Sequence, residues 1–253
     1  MTKSKEDKFS PNNSIKLYGY DLYFNDLKDL FENKRFPKVV LLTGEKGIGK
    51  FTLAFHLINY FFTKESKKPY DLKNFTINTQ SDFYNQILLN VNENFNYIGK
   101  LDNKRVSVEN IREIKKKFTT SSLNNLPRFT VLDDADLFNA NSANALLKLI
   151  EEPSDLNYFI LINNKRKRII DTLRSRSLEF KIFFSNNEKK AILENLAKNF
   201  DVILEPYSNF ISKTTPGTLI KVSECLSSLK INDDKNLYDS VEILLDKLKK
   251  NKN

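Results

Sequence analysis

The chain has 253 residues, of which 40% are hydrophobic and 29% charged, a balance typical of globular proteins with one large or two modest domains. Its formal net charge of +9 is compatible with a polyanionic partner such as nucleic acid. The single Cys225 excludes an internal disulfide and a cysteine-based metal site. Because no signal-peptide pattern or membrane-length apolar run is present, we expect a cytoplasmic protein with no membrane contact.

A helix and a buried strand are the first elements that the sequence predicts. Apolar residues at helical spacing indicate the helix within residues 15–36, and Pro37 closes it. The apolar run at 39–42, VVLL, predicts the strand. A glycine-rich turn follows this strand and opens a second helix at Lys50.

The turn fits the phosphate-loop pattern G-x-x-x-x-G-K. Its glycines let successive backbone N–H groups surround an anion at a helix N-terminus, and the lysine reaches the outer phosphates. The pattern alone favours nucleotide binding no more than a structural strand–turn–helix with a glycine kink. If it binds nucleotide, the candidate residues are Gly44, Gly47, Gly49, Lys50 and Thr52.

The position after the lysine departs from this pattern. A serine or threonine hydroxyl normally ligates Mg²⁺ there, whereas Phe51 occupies it in this chain. Thr52 comes one residue late, and a helix turns about 100° per residue, so its hydroxyl points elsewhere. We therefore expect a loop that can still hold phosphate but whose metal site is damaged, and we assign no metal-binding residue to it.

The central region carries weaker signals. The only histidine, His56, lies in an apolar helical run, which is typical of a satisfied structural histidine rather than a ligand or base. A charged loop is expected at 64–70 and a short helix at 83–91, and the polar and aromatic segment 92–97 has no assigned structure.

A basic helix is expected from Glu109 to 118, with Val108, Ile111 and Ile114 on its apolar face. Two interpretations of its basic residues remain open: a solvated surface, which is favoured, or a strip that contacts DNA phosphates. These residues are Arg112, Lys115, Lys116 and Lys117.

The segment 129–136, FTVLDDAD, predicts a buried strand that ends in Asp133 and Asp134. Downstream of a phosphate loop, such a pair is typical of the Walker B segment, which holds Mg²⁺ and orients the attacking water. Asp133 would be the metal-side carboxylate. Asp134 stands where a motor carries a catalytic glutamate, whose side chain is one methylene longer.

The segments that follow are the helix NSANALLKLIEEP, a strand ending in LINN, a basic cluster at 165–168, and IIDTLRSRSLEFKI. From DDAD to LRSRSLEF, this block resembles the bacterial DNA polymerase III clamp-loader subunits, which include an AAA+ motor subunit and its stator relative, delta-prime. That family has the same order of Walker B, N-A-L-L-K-x-x-E-E-P, sensor strand and Ser-Arg-Cys finger motif, which here reads Ser175-Arg176-Ser177. The resemblance covers most of residues 15–225 and is poor from 63 to 104.

The resemblance implies an α/β fold: an AAA+ P-loop NTPase module with a parallel sheet flanked by helices, at 1–183. A small helical lid domain at 184–230 and a C-terminal helix at 231–253, a remnant or start of a collar domain, would follow. Arg176 resembles the arginine finger that acts in trans on ATP held by a neighbouring subunit. Asn163 or Asn164 resembles the first sensor, and Lys221 is a loose candidate for the second. An ordinary surface arginine and a polar strand-end turn are the alternatives.

ATP or ADP with Mg²⁺ is the cofactor that the resemblance implies. No zinc is expected, because the cysteine-rich insert of many relatives is absent. Phe51 and Asp134 point toward the delta-prime pattern, in which hydrolysis is lost while the fold and the finger are kept.

The predicted function is that of a delta-prime-like clamp-loader subunit, which supplies Arg176 to a neighbouring ATPase while a sliding clamp is loaded onto primed DNA. Its implied partners are the motor subunits, the delta subunit, the sliding clamp and, through the assembly, primer–template DNA. The alternative is an active motor subunit or other AAA+ ATPase that uses Lys50, Asp133 and Asp134. A plain nucleic-acid-binding module is the weakest hypothesis, since basic charge does not explain why these motifs occur in this order along the chain.

Overall fold

The computed structural model describes residues 13–99, 107–119, 126–151, 156–202 and 208–228. The strands are β1 Val39–Thr43, β2 Phe95–Ile98, β3 Arg128–Leu132, β4 Asn157–Asn163 and β5 Leu178–Lys181. The α-helices in these ranges are α1 Asp21–Glu32, α2 Lys50–Thr63, α3 Asp82–Leu88, α4 Val108–Thr119, α5 Ala140–Glu151, α6 Asp171–Ser175, α7 Asn186–Phe200 and α8 Pro216–Ser228. The C-terminal helix predicted at 231–253 lies outside the described residues.

The strands form one parallel sheet in the order β2-β3-β4-β1-β5. β1 and β3 are buried along their whole length, and their apolar residues, VVLL in β1 and Phe129, Val131 and Leu132 in β3, do not follow a simple alternation of apolar and exposed polar positions. The register places Thr43 opposite Asn163, and Leu132 opposite Leu161. The predicted fold class, a parallel sheet flanked by helices, is confirmed.

Alternate residues of each strand pack against different helices. Leu41, Leu132 and Phe159 face the core that α4, α5 and α6 cover. The opposite face carries an aromatic cluster in which Phe31 of α1 stacks on Phe61 of α2, with ring centroids 3.6 Å apart. The rings of Phe36, Phe129 and Tyr158 extend this cluster across β3 and β4. Both faces of the sheet are therefore covered, as a parallel sheet requires.

His56 is a satisfied buried histidine, as its position in an apolar run predicts. Its Nε2 lies 2.7 Å from the carbonyl oxygen of Ser14, and its Nδ1 lies 2.9 Å from the hydroxyl of Tyr70. Burial lowers the pKa of His56 to about 4. The side chain thus fastens the start of the described chain to α2 and has no role in the site below.

The chain divides into two units. The first comprises the residues up to Glu45 together with Gly49–Ile182, and contains the sheet. The second contains Lys46–Ile48 and the chain from Phe183 onward, including α7 and α8, which lie in the segment assigned to the lid. Within the second unit, Ser185 and Glu188 form a capping box at the start of α7, and the Gly217 N–H donates to the carbonyl of Gly47.

Candidate functional site

Polar residues meet where β1, β3 and β4 end. Because the strands are parallel, Thr43, Asp133 and Asn163 reach the same edge of the sheet, and the phosphate loop leaves β1 at this edge. We call it the phosphate-loop edge. In open α/β sheets, ligands bind outside the carboxyl ends of the strands, so this is the edge where a nucleotide would be sought.

Lys50 is folded back onto the loop that it follows. Gly49 has φ +106°, a left-handed conformation that favours glycine, and it leads directly into α2. The Lys50 amine donates to the carbonyl oxygens of Gly44 at 2.8 Å and Glu45 at 2.7 Å, and only 3% of the residue is exposed. Burial lowers the pKa of Lys50 to about 8, although Asp133 and Asp136 oppose this shift. The amine must therefore exchange two hydrogen bonds before it can reach a phosphate.

An aromatic pair occupies the place of the magnesium-binding hydroxyl. Phe51 is buried, and its ring makes an edge contact with Tyr97 at a centroid distance of 4.5 Å. The Tyr97 hydroxyl lies 3.4 Å from Oδ2 of Asp133. Thr52 is half-buried and one residue further along α2. In the described ranges, no group of three or more His, Cys, Asp or Glu side chains could hold a metal ion.

Asp133, the predicted metal-side carboxylate, is engaged by its neighbours. Its Oδ1 accepts from the backbone N–H of Asp134 at 2.7 Å and from the side-chain amide of Asn164 at 2.9 Å. Burial, and then the charge of Asp134, raise the pKa of Asp133. The positive charge of Lys50 acts in the opposite direction. A metal ion at Oδ1 would compete with these two hydrogen bonds, whereas Oδ2 has the more distant Tyr97 hydroxyl as its neighbour, at 3.4 Å.

Asp134 is held even more fully. It adopts a left-handed conformation with φ +58°, accepts from the Asn164 amide at 2.7 Å and forms an ion pair with Arg166. The neighbouring Asp136 has a completely buried side chain that accepts from the backbone N–H groups of Asn164 at 3.0 Å and Arg166 at 2.9 Å. The carboxylate that stands for the catalytic glutamate is thus committed to a structural network.

Sequence reasoning missed Arg166 and Asp136. Asp136 was visible as the last letter of DDAD and Arg166 as one residue of a basic cluster, but their pairing depends on how the turn after β4 folds back. The two adjacent asparagines also differ. The Asn163 amide donates to the Thr43 hydroxyl at 3.3 Å, whereas Asn164 contacts both aspartates of the acidic pair. Asn163 as the first sensor stays a prediction.

Arg176 lies between α6 and β5. We call residues 174–179, which run from the end of α6 into the first residues of β5, the finger turn. Its guanidinium forms an ion pair with Glu151 at 2.9 Å and donates to the carbonyl of Thr172 at 3.3 Å. The side chains of Arg176 and Glu151 are 43% and 47% exposed. Such an exposed pair is worth only about 0–1 kcal/mol, so Arg176 can leave it at little cost.

Arg176 and the chain's own phosphate loop lie toward opposite ends of β1. Leu178 pairs with Val40 and Lys181 with Thr43, so Arg176, which precedes β5, lies toward the amino end of β1. The phosphate loop leaves the carboxyl end of β1. At about 3.3 Å per residue, the step from Val40 to Thr43 alone spans about 10 Å. The register therefore does not bring Arg176 to its own loop, and its role as an arginine finger stays a prediction.

The basic helix α4 turns Ile111 and Ile114 into the core and exposes Arg112 and Lys115. Lys117 donates to the side-chain oxygen of Asn96 at 3.0 Å. None of these contacts requires a nucleic acid, so the DNA-contacting strip stays a prediction. Among the described residues, moreover, no helix combines the length and the hydropathy needed to cross a membrane.

Residues 20–185 match the protein family described as DNA polymerase III, delta subunit. The chain is 25% identical over 231 residues to DNA polymerase III subunit delta' of Buchnera aphidicola subsp. Acyrthosiphon pisum, which covers 88% of this chain and 61% of the relative. It is 26% identical over 151 residues to DNA polymerase III subunit delta' of Bacillus subtilis, with 59% of this chain and 43% of that one covered. The chain thus spans less than two thirds of the length of these relatives.

Two solved structures share the fold. A DNA polymerase III gamma subunit-related protein from Thermotoga maritima superposes with a TM-score of 0.51 at 18% identity, covering 83% of this chain and 62% of that one. The RuvB Holliday junction branch migration motor of the same organism gives a TM-score of 0.52 at 18% identity, covering 93% and 74%. At this identity the likeness concerns the fold alone.

Proposed function

Because this chain belongs to the delta-prime family of DNA polymerase III clamp-loader subunits, we propose that it acts as a stator in such a loader. In this role it presents Arg176 to the nucleotide of a neighbouring motor subunit. The observation that carries the proposal is the position of Arg176: exposed, lightly held, and at the end of β1 opposite to its own phosphate loop.

The chain's own phosphate-loop edge supports a role without hydrolysis. The glycine-containing turn and Lys50 fit a phosphate group in part, since the lysine amine could trade its two carbonyl partners for phosphate oxygens. The residues do not fit the usual Mg²⁺ site of such a loop, because Phe51 supplies no oxygen where a serine or threonine hydroxyl would ligate the ion. We therefore propose that this chain does not itself hydrolyse ATP.

Arg176 has the chemistry that the proposed role requires. A guanidinium is always charged and offers five N–H donors in a planar fork, which matches phosphate oxygens. Leaving Glu151 exposes these donors without uncovering a buried charge, since both side chains of the pair are near half-exposed. An arginine finger supplied in trans stabilises charge on the transferred phosphoryl group and is worth on the order of 10³–10⁵ in rate.

The proposed partners follow from the family. They are gamma-type motor subunits, a delta subunit, the sliding clamp and primer–template DNA, the last reached through the assembly. The active-motor alternative is not favoured, because it needs Asp134 free to orient water, and Asp134 is paired with Arg166 and Asn164.

The test is the steady-state ATPase activity of a loader reconstituted with the motor subunit of the same organism. Arg176→Ala should abolish most of the turnover, given a loss on the order of 10³–10⁵ at the site it serves, while Lys50→Ala should leave it nearly unchanged. Arg168→Ala is the matched control, since this exposed arginine lies in the same region and pairs with the exposed Asp171. Each variant is first checked for assembly by size-exclusion chromatography. The reverse pattern, with Lys50 essential and Arg176 dispensable, would make the chain a motor.

A further inference from the structure

The finger turn contains a second arginine that is held quite differently. Arg174 donates from Nε at 3.1 Å and from Nη2 at 3.0 Å to the same oxygen, Oε2, of Glu179. The two arginine side chains are about equally exposed, at 50% and 43%, so the difference lies in their carboxylates: Glu179 is 15% exposed and Glu151 is 47% exposed. Arg174 and Glu179 thus stand at the two ends of the turn, with Arg176 between them.

The other oxygen of Glu179 ties the turn to the sheet. Oε1 accepts from the Thr43 hydroxyl at 2.7 Å, and this hydroxyl in turn accepts from the Asn163 amide at 3.3 Å. Thr43 and Asn163 are both buried at the ends of β1 and β4. One continuous chain of hydrogen bonds therefore runs from Asn163 at the phosphate-loop edge to Arg174 in the finger turn.

The backbone of the turn is closed by its own serines. Ser177 donates from its hydroxyl to the Leu173 carbonyl at 2.6 Å and from its N–H to the Arg174 carbonyl at 3.2 Å. Ser175 donates to the Thr172 carbonyl at 3.2 Å. These bonds fix the shape of the turn, while the Arg174–Glu179 pair fixes where it sits against the sheet.

We propose that Arg174 and Glu179 are positioning residues, which hold the finger turn against β1 so that Arg176 is presented to the neighbouring subunit. This inference rests on the function proposed above. A finger must meet its target with a precision of about 1 Å, and a misplacement of that size can cost about 10²-fold in rate. The anchor and the finger are thereby separated: Arg174 stays bound to this chain and leaves Arg176 free to reach out.

The carboxylate of Glu179 stays charged at neutral pH. Burial by itself would raise the pKa of Glu179, but hydrogen bonds from Thr43 and Arg174 hold it below its usual value. The pair is therefore ionised at neutral pH. It is also charge-assisted at both donor nitrogens, which makes it stronger than a neutral hydrogen bond.

The experiment measures kcat and KM for ATP of the reconstituted loader with Arg174→Ala, Glu179→Gln, Arg176→Ala and the double variant Arg174→Ala/Arg176→Ala. We expect Arg174→Ala and Glu179→Gln each to lower kcat by about tenfold to a hundredfold, with KM changed less than about twofold. The double variant should be no slower than Arg176→Ala alone, because Arg174 acts only through Arg176. Arg174→Lys, which keeps the charge but loses the planar fork, should recover part of the activity.

Arg168→Ala is again the matched control, because its pair with Asp171 is 83% and 68% exposed and makes no bond to the sheet. Thermal unfolding of each variant tests whether the fold persists. If Arg174→Ala fails to fold, Glu179→Gln tests the same pair in its place. Loss by Arg174→Ala no greater than by Arg168→Ala would overturn the inference, as would a double variant slower than Arg176→Ala. If Arg176→Ala itself has no effect, the finger function falls together with the positioning role. If Arg176→Ala lowers the turnover and Arg174→Ala does not, only the positioning role is overturned.

Discussion

Two arginine–carboxylate pairs in the first unit differ in a way that separates scaffold from function. At the phosphate-loop edge, Arg166 pairs with Asp134 while the buried Asp136 binds the same turn. At the finger turn, Arg176 pairs with Glu151 on a surface that is nearly half-exposed. A buried charged network is costly to open, whereas an exposed pair is nearly neutral in free energy. The acidic pair at the phosphate-loop edge is thus held within this chain, whereas Arg176, which we propose as the finger, can leave its partner at little cost.

The same contrast holds for the lysine and the aromatic pair. Lys50 is satisfied by the carbonyls of Gly44 and Glu45, and Phe51 packs against Tyr97 where a metal ligand would stand. Lys50, Asp133 and Asp134, the side chains that a motor would use at this edge, are all hydrogen-bonded within the unit. These contacts stabilise the module and, in our proposal, leave the chemistry to a neighbouring subunit.

The largest expected effect comes from breaking the closed edge at Arg166. Arg166→Ala should lower the free energy of unfolding by about 2–3 kcal/mol, because Asp134 and the fully buried Asp136 lose charged donors. The value stays below that of a fully buried pair because the Arg166 side chain is 29% exposed. Urea unfolding at pH 7 and moderate salt measures the difference.

Arg168→Ala provides the comparison for this experiment, since its pair with Asp171 is exposed and should contribute less than about 1 kcal/mol. Equal effects of the two substitutions would contradict the view that the phosphate-loop edge is closed by a buried network. Once Arg166→Ala is assembled into the loader, the ATPase activity should equal that of the wild type, because Arg166 does not touch the finger turn.

A second prediction uses the pH dependence of stability to test how Lys50 is held. Burial lowers its pKa from 10.5 to about 8. Between these values the unfolded chain binds a proton that the folded chain has released, so stability rises with pH across this window. Relative to Lys50→Met, the wild-type chain should gain about 2 kcal/mol between pH 7.5 and 9.5, at 1.36 kcal/mol per pKa unit.

The difference between wild type and Lys50→Met is the informative quantity, because tyrosines and other lysines titrate in both proteins and cancel. Denaturant unfolding at pH 7.5, 8.5 and 9.5 would supply it. A difference that stays constant with pH would mean that the Lys50 amine is solvated rather than enclosed by the loop. Addition of inorganic phosphate offers a sharper version, since a bound anion should raise the pKa and flatten the curve.

The sequence predicted the scaffold well because buried parallel strands have a strong local signature. The apolar residues of β1, β3 and β4 and the glycine-rich turn are all visible without tertiary information. β2 was missed because Asn96 and Tyr97 break its apolar pattern, and it lies at the edge of the sheet, where its residues are only half-buried.

The site was predicted less completely, since its pairings depend on where turns fold. Asn163 and Asn164 are adjacent at the end of a strand, so their side chains point in different directions and only the fold tells which meets the aspartates. Arg174 and Arg176 look equivalent in LRSRS, yet one reaches a carboxylate bound to the sheet and the other a carboxylate at the surface. Motif order identified the family, whereas contacts assign the partners.

The smallest expected effect tests the exposed side of the comparison directly. Glu151→Gln removes the charge that holds Arg176 and should change the free energy of unfolding by less than about 0.5 kcal/mol, because both side chains are near half-exposed. If leaving Glu151 is part of the finger's approach, the substitution should also raise the ATPase turnover of the loader. The gain is bounded at about fivefold, since an exposed pair is worth at most about 1 kcal/mol.

Glu179→Gln is the matched comparison for this last test, because the Glu179 carboxylate anchors the finger turn. Glu179→Gln should lower the turnover, whereas Glu151→Gln should raise it or leave it unchanged. Salt separates the two further: screening already weakens the exposed Glu151 pair, so the gain from Glu151→Gln should shrink as ionic strength rises. A marked loss of turnover with Glu151→Gln would instead mean that this carboxylate orients Arg176 in the working assembly. The finger would then be held by both of its neighbouring carboxylates, and the distinction between anchor and free finger would have to be abandoned.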